Sequence, residues 1–302
     1  MVIYSCEKCG KEFNQKGHYT KHLNKKNHCV VESKIKEMLD KVVDEKLDKV
    51  VDEKLIKVFK EKLNINEKIT IDTSTFNEIK KYYDERLNTD KSTYKSSNDE
   101  PTPIDCISEM ISKIPTELWS KSDLSILDPC CGNGNFSIPV IFELLKYKDK
   151  KTILENILEF NDINESRLDN VRSVFCSEKY NLQITNNDYI TFNNSKKYDL
   201  IMANPPYAKL LENGKRASKN HNLIKVFIEK ALSQLKPNGY LLFITPDNWM
   251  SYADRNVLIE IITSLQIIYL DIHTAKKYFK KIGSSFTWYI IQNCDFYKNI
   301  NV

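Results

Sequence analysis

Apolar and polar positions alternate along the last two thirds of the chain in two rhythms. Short apolar runs have the length and composition of strands: SILD (125–128), ILEF (157–160), LQIT (182–185), DLIMA (199–203), GYLLFIT (239–245), QIIYLDI (266–272) and FTWYII (286–291). Between them the pattern turns helical, from about 135, near 164–177 and over 222–235. In the last of these, Leu223, Phe227, Ala231 and Leu235 share one face. Strands interleaved with helices predict a mostly parallel, doubly wound α/β sheet within a domain spanning 101–302. In such sheets ligands bind beyond the carboxyl ends of the strands.

Upstream the pattern changes three times. Residues 69–100 begin with a helix over 73–87, where Phe76, Ile79 and Tyr83 recur at spacings of three and four. The polar, aperiodic run LNTDKSTYKSSNDEP (87–101) then reads as a linker. Residues 30–68 form a charged helical spacer in which DKVVDEKL occurs at 40–47 and again at 48–55. Eight residues advance a helix by about 800°, so the stripe Leu39, Val43, Leu47, Val51, Leu55, Phe59 and Leu63 winds around it instead of holding a heptad seam. Two readings stand for this segment, a solvated spacer and a short self-association helix of loose coiled-coil kind that covers its Val, Leu and Phe.

Charge is balanced overall, with Lys+Arg 45 against Asp+Glu 41, which excludes a globally polybasic protein. The excess is local, because residues 1–29 carry six Lys and two Glu, a composition suited to an anionic partner. The eight cysteines follow no disulfide framework, and Cys130 and Cys131 are adjacent. With no signal peptide or long apolar run, the chain is expected to be soluble and intracellular.

Four strand ends carry polar motifs. DPCCGNGNF (128–136) joins a strand to a helix, and Gly132 and Gly134 would let backbone approach a ligand beside the free N–H groups of the helix start. A sharp turn needing no ligand explains the glycines equally. Asp162 in NDIN (161–164) is placed to accept two ribose hydroxyls or to cap a helix, a task Asn164 also suits. Asp188 in NNDY (186–189) is placed to accept from an adenine amine, with Tyr189 or Ile190 against the ring, or simply to make a turn. In NPPY (204–207), the Asn204 side-chain oxygen and the Pro205 carbonyl each accept one N–H of an aromatic amine. Such an amine delocalises its lone pair into the ring and is a poor nucleophile. Two acceptors draw it toward tetrahedral geometry, Pro205 and Pro206 hold those acceptors in place, and Tyr207 offers a stacking surface. Alternatively, the prolines merely end an edge strand.

In this order and spacing, DPCCGNGNF, Asp162, Asp188 and NPPY resemble the S-adenosylmethionine-dependent N6-adenine DNA methyltransferases in which the cofactor motif precedes the catalytic one. EPTPIDCISEMISKIP (100–115), LKPNGYLLFITPDNW (235–249) and KIGSSFTWYII (281–291) resemble further segments of that family, and the likeness covers 100–292. The resemblance implies a Rossmann-like methyltransferase fold. It implies that Thr102, Pro103, Asp128, Cys130, Gly132, Gly134, Asp162 and Asp188 bind S-adenosylmethionine, and that Asn204, Pro205, Pro206 and Tyr207 are catalytic. Tyr207 and Phe286 would hold a flipped base, and the methyl would pass directly to N6. Cytosine N4, RNA adenine and protein glutamine methylation share this logic. A non-catalytic adaptor is the reading from another class, against which the intact NPPY and glycine turn argue. Such enzymes usually carry a target-recognition domain after the core, whereas about ten residues follow Ile291 here.

At the amino terminus Cys6, Cys9, His22 and His28 have the spacing of a C2H2 zinc finger of ββα form, with Phe13 and Tyr19 in its core places. Resemblance to that module puts Gln15, His18 and Lys21 at base-facing positions of its helix. Protein binding is the other use of such a finger. Lys215, Arg216 and Lys219, in the loop after NPPY, are further candidates to touch DNA, or else belong to a solvated loop.

Overall fold

The computed structural model describes residues 3–6, 11–24, 69–90, 92, 100–207, 223–247, 257–279 and 285–295. The chain divides into two compact units, Met1–Glu67 and Lys68–Val302. The expected spacer at 30–68 lies outside the described residues, as do Cys9, His28, Lys215, Arg216 and Lys219.

In the first unit β1 (Tyr4–Ser5) pairs antiparallel with β2 (Glu12–Phe13), and α1 (Lys16–Leu23) follows. Aromatic rings supply its small core. Tyr19 of α1 stacks on Tyr4 at 5.9 Å, and the His22 ring lies 4.9 Å from Phe13. Cys6 is buried at the end of β1, its N–H bonded to the Lys11 carbonyl. Gln15, His18 and Lys21 are exposed at spacings of three along the start and length of α1.

The second unit starts with α2 (Phe76–Tyr82), which a Thr75–Glu78 capping box initiates and a π-turn over Tyr83–Leu87 extends. Then come α3 (Ile104–Ile111), β3 (Ile126–Asp128), α4 (Ser137–Leu144), β4 (Leu158–Asn161), α5 (Glu165–Val174), β5 (Gln183–Thr185) and β6 (Tyr198–Ala203). The chain continues through α6 (Leu223–Gln234), β7 (Leu235–Pro246), α7 (Val257–Thr263), β8 (Gln266–Ile272) and β9 (Phe286–Gln292). The sheet order is β5-β4-β3-β6-β7-β9-β8, parallel except for β9, which runs antiparallel to both its neighbours. Every strand expected from the sequence is present within a residue or two, save that β7 begins four residues early.

Every residue of β3, β4 and β6 is buried, because helices cover both sheet faces. The pleat sorts their side chains into two cores: Leu200 and Met202 enter one, Ile201 and Ala203 the other. Asp199, buried at the start of β6, receives Lys121 at 2.6 Å, Lys236 at 2.7 Å and the Ser125 N–H at 2.9 Å. Burial alone would raise its carboxyl, but these donors hold it below the usual range.

The segment 69–90 is part of this unit, although the sequence suggested that the domain begins at 101. Ile79 and Tyr83 are fully buried, and Asp72 binds Lys150, Lys179 and the Tyr180 hydroxyl. No helix among the described residues is long and apolar enough to cross a membrane.

Candidate active site

Strand order reverses between β3 and β6, so a crevice opens where their carboxyl ends diverge. Asp128 ends β3 on one side; Asn204 follows β6 on the other. The Cys130 thiol lies 3.7 Å from the Asn204 carbonyl and joins the two.

The turn after Asp128 needs both its glycines, for different reasons. Gly132 has φ +54°, and among the described residues a Cβ there would meet Arg167 Nη1 at 3.8 Å and nothing nearer. Gly134 has φ +85°, and a Cβ would stand 2.6 Å from the Phe175 ring, which is fully buried against Phe160. Gly132 therefore leaves room for a ligand, whereas Gly134 lets the turn pack onto α5.

The Asp162 carboxylate, just after β4, ties its own turn to the glycine turn after β3. Its Oδ2 accepts the Gly132 N–H at 2.8 Å and its Oδ1 accepts the Asn164 N–H at 2.8 Å. Asn164, not Asp162, caps α5, accepting from the Ser166 N–H. Asp128 is 1% exposed, and neither carboxylate oxygen meets a donor at full hydrogen-bonding geometry. Burial pushes its carboxyl well above the usual range, the Asp162 charge adds to this, and the Cys130 backbone N–H opposes it. Burial likewise pushes the Cys131 thiol well up, so it is no nucleophile.

Asp188 is exposed, and its Oδ1 accepts the Ile190 N–H in a tight turn. Tyr189, one of two rings or side chains expected against a ligand, is instead a core residue. It is 4% exposed and gives its hydroxyl to Gln234 at 2.6 Å, leaving half-buried Ile190 at the rim.

Asn204 is the most constrained side chain in the crevice. Its Nδ2 donates to the Glu100 carbonyl and to Thr102 Oγ1, both at 3.1 Å, and its Oδ1 accepts the Tyr207 hydroxyl at 2.5 Å. Thr102, expected from the resemblance to face a cofactor, is 2% exposed and turns its hydroxyl to Asn204. Pro103 caps the start of α3. Pro205 is buried and Pro206 exposed. The Tyr207 ring lies 6.2 Å from Phe286, which stacks at 4.4 Å on Phe279. In this state the two rings expected to grip a base touch each other, so they must part to admit one.

Several buried amides hold this geometry; they lie within the strand-end motifs, where the sequence reading gave them no role. Asn161 donates to the Pro129 and Asn187 carbonyls and accepts from Thr185, tying three strand ends together. Asn135 donates to the Thr102 carbonyl and to Asn88. Asn133 donates to the Leu87 carbonyl, while its own carbonyl accepts the Tyr83 hydroxyl. The signal available in the sequence was the density of Asn beside the glycines, which reads equally as turn composition.

In the amino-terminal unit Cys6 is buried and His22 half-buried, while the other two expected ligands lie outside the described residues. No group of three or more metal-binding side chains occurs among the described residues.

The sequence matches the Eco57I restriction-modification methylase family over residues 15–279. It is 26% identical over 187 residues to the Type II methyltransferase M.VspI of Vibrio sp. (strain 343), covering 56% of this chain and 42% of that protein. The chain thus spans less than half the length of the curated relatives it matches. Among solved structures, a Listeria monocytogenes protein described as a class I S-adenosylmethionine-dependent methyltransferase shares the fold with a TM-score of 0.57. The two are 19% identical, with 78% of this chain and 73% of that one covered. The methyltransferase-like part also superposes on the DrdV–DNA complex with a TM-score of 0.54 at 15% identity, over 72% of this chain and 29% of that one.

Proposed function

The chain belongs to the Eco57I restriction-modification methylase family, and from that premise we propose that it transfers a methyl group from S-adenosylmethionine to the N6 amine of adenine in DNA. The observation that carries the reading is the Asn204 side-chain amide, whose oxygen is aimed by two bonds to its nitrogen, in a residue whose backbone carbonyl meets Cys130 of the glycine turn.

The residues fit the cofactor. Asp128 is a buried carboxylate whose oxygens meet no donor at full hydrogen-bonding geometry among the described residues, and a cationic ligand would satisfy it. Asp162, bonded to the Gly132 N–H, stands where its carboxylate would accept from a ribose beside Gly132. Asp188, at the β5 rim, can accept from the adenine amine. When bound, the sulfonium supplies an electrophilic methyl carbon. The chain's own part is to orient the amine: Asn204 Oδ1 and the Pro205 carbonyl accept its two N–H groups, so its lone pair turns out of the ring plane. Phe286 and Tyr207 flank the base once their rings part.

For the amino-terminal unit the reading is a structural zinc held by Cys6, Cys9, His22 and His28. Supporting it are the hairpin-then-helix order and the inward placement of Cys6 and His22. Exposed Gln15, His18 and Lys21 would meet DNA, with Lys215, Arg216 and Lys219 as contacts beside the flipped base.

The experiment is incubation with isotope-labelled S-adenosylmethionine and adenine-containing DNA, followed by digestion and mass spectrometry of the nucleosides. N6-methyladenine is expected. N4-methylcytosine alone would move the chemistry to another base, and absence of label from any DNA would end the DNA reading.

A further inference from the structure

An asparagine side chain has two chemically opposite ends. Only its oxygen can accept from a substrate amine; the NH2 end would present donor to donor. The prolines after Asn204 restrain its backbone, but its terminal torsion is broad and roughly two-fold, so they leave the end undecided. The neighbours decide it. The Glu100 carbonyl can only accept, so the atom 3.1 Å from it must be Nδ2. Thr102 Oγ1 takes the second proton at 3.1 Å. Both amide protons are then committed, and Oδ1 is left to face the crevice, where the Tyr207 hydroxyl now holds it.

Thr102 is suited to the task. It is 2% exposed, so water does not compete for its hydroxyl. Its own carbonyl is held at 2.9 Å by Asn135, a buried residue of the glycine turn that also donates to Asn88. A continuous chain of hydrogen bonds thus runs from the cofactor turn through Thr102 to the NPPY amide.

Resting on the amine-methylation reading above, we propose that Thr102 is a positioning residue: the Glu100 carbonyl sets which end of the Asn204 amide faces the substrate, Thr102 Oγ1 holds the second amide proton and so keeps Oδ1 aimed, and Asn135 holds Thr102 in register. This differs from a role in gripping the cofactor.

The test compares Thr102→Val, which keeps shape and removes the acceptor, with Thr102→Ser, which keeps the acceptor. Turnover on DNA is measured alongside cofactor affinity by calorimetry. The Val variant is expected to lose roughly tenfold or more in kcat with cofactor affinity within about twofold of the parent protein, and the Ser variant to recover most of the loss. Equal turnover in Val and parent, Ser no better than Val, or cofactor affinity falling in step with turnover would each overturn the proposal. A second readout does not depend on methylation of adenine. The Asn204 side-chain NH2 protons, assigned by their loss in Asn204→Asp, should exchange with water about tenfold faster in Thr102→Val. Unchanged exchange would also overturn it. If the parent protein methylates no adenine, the functional reading fails while this exchange measurement still judges the amide's orientation.

Discussion

At the scale of single residues, two contacts in the crevice carry consequences. The Tyr207 hydroxyl occupies the Asn204 oxygen that, on the proposed function, the substrate amine would need. Tyr207→Phe keeps the ring and frees the oxygen, so kcat/KM on DNA should equal or exceed that of the parent protein. Tyr207→Ala removes the stacking face and should fall about a hundredfold. A Phe variant as impaired as the Ala variant would show that the hydroxyl does more than occupy the oxygen. Asp128 is the second case, since its carboxyl is pushed well up by burial and by Asp162. A bound cation favours the ionised form and so lowers this raised pKa. Cofactor binding should therefore release a proton, and affinity should rise with pH above the usual carboxylate range. Calorimetry in buffers of different ionisation enthalpy checks this: proton release is expected from the parent protein and none from Asp128→Asn.

At the scale of elements, the joints between segments set the site. Gly134 links the glycine turn to α5 with a positive φ and no space for a methyl group. Gly134→Ala should destabilise by roughly 2 kcal/mol or more, through backbone strain and displacement of Phe175, whereas Gly132→Ala carries the strain alone, about 1 kcal/mol. Thermal unfolding of the two variants measures the difference, and equal shifts would contradict it. The segment carrying α2 is tied down by Asp72. Burial raises this carboxyl, but Lys179, Tyr180 and Lys150 together bring it down to about 2. A depressed carboxylate stabilises the fold above its unfolded value, about 4, and that contribution disappears as pH falls toward 2. By linkage it amounts to at most about 2 kcal/mol, reduced by solvent screening of these partly exposed ion pairs to about 1 kcal/mol. Asp72→Asn should lower stability at pH 7 by about this amount and flatten the loss between pH 4 and 2, read by denaturant titration at several pH values.

At the scale of the whole molecule, the chain divides into two compact units. Purified protein should contain about one zinc per chain by atomic absorption, and Cys6→Ser should abolish it. Because the α/β unit has its own core, that variant should keep cofactor affinity while DNA affinity and its salt dependence decline. Loss of cofactor binding in Cys6→Ser would show that the units depend on each other. The sequence by itself determined the strands, the order of the polar motifs at their ends and the ββα spacing, because strand burial and strand-to-helix turns leave local patterns of apolar runs, glycines and prolines. It also marked Asp162 and Asn204, though not which of Asp162 and Asn164 caps α5. Only the tertiary structure decided that residues 69–90 belong to the α/β unit, that Tyr189 serves the core, and that Thr102 holds Asn204. Those contacts join positions as much as 108 residues apart. A buried amide satisfied across such a distance looks, along the chain, like any turn asparagine, since its partner is chosen by how the strands pack side by side and not by its neighbours in sequence.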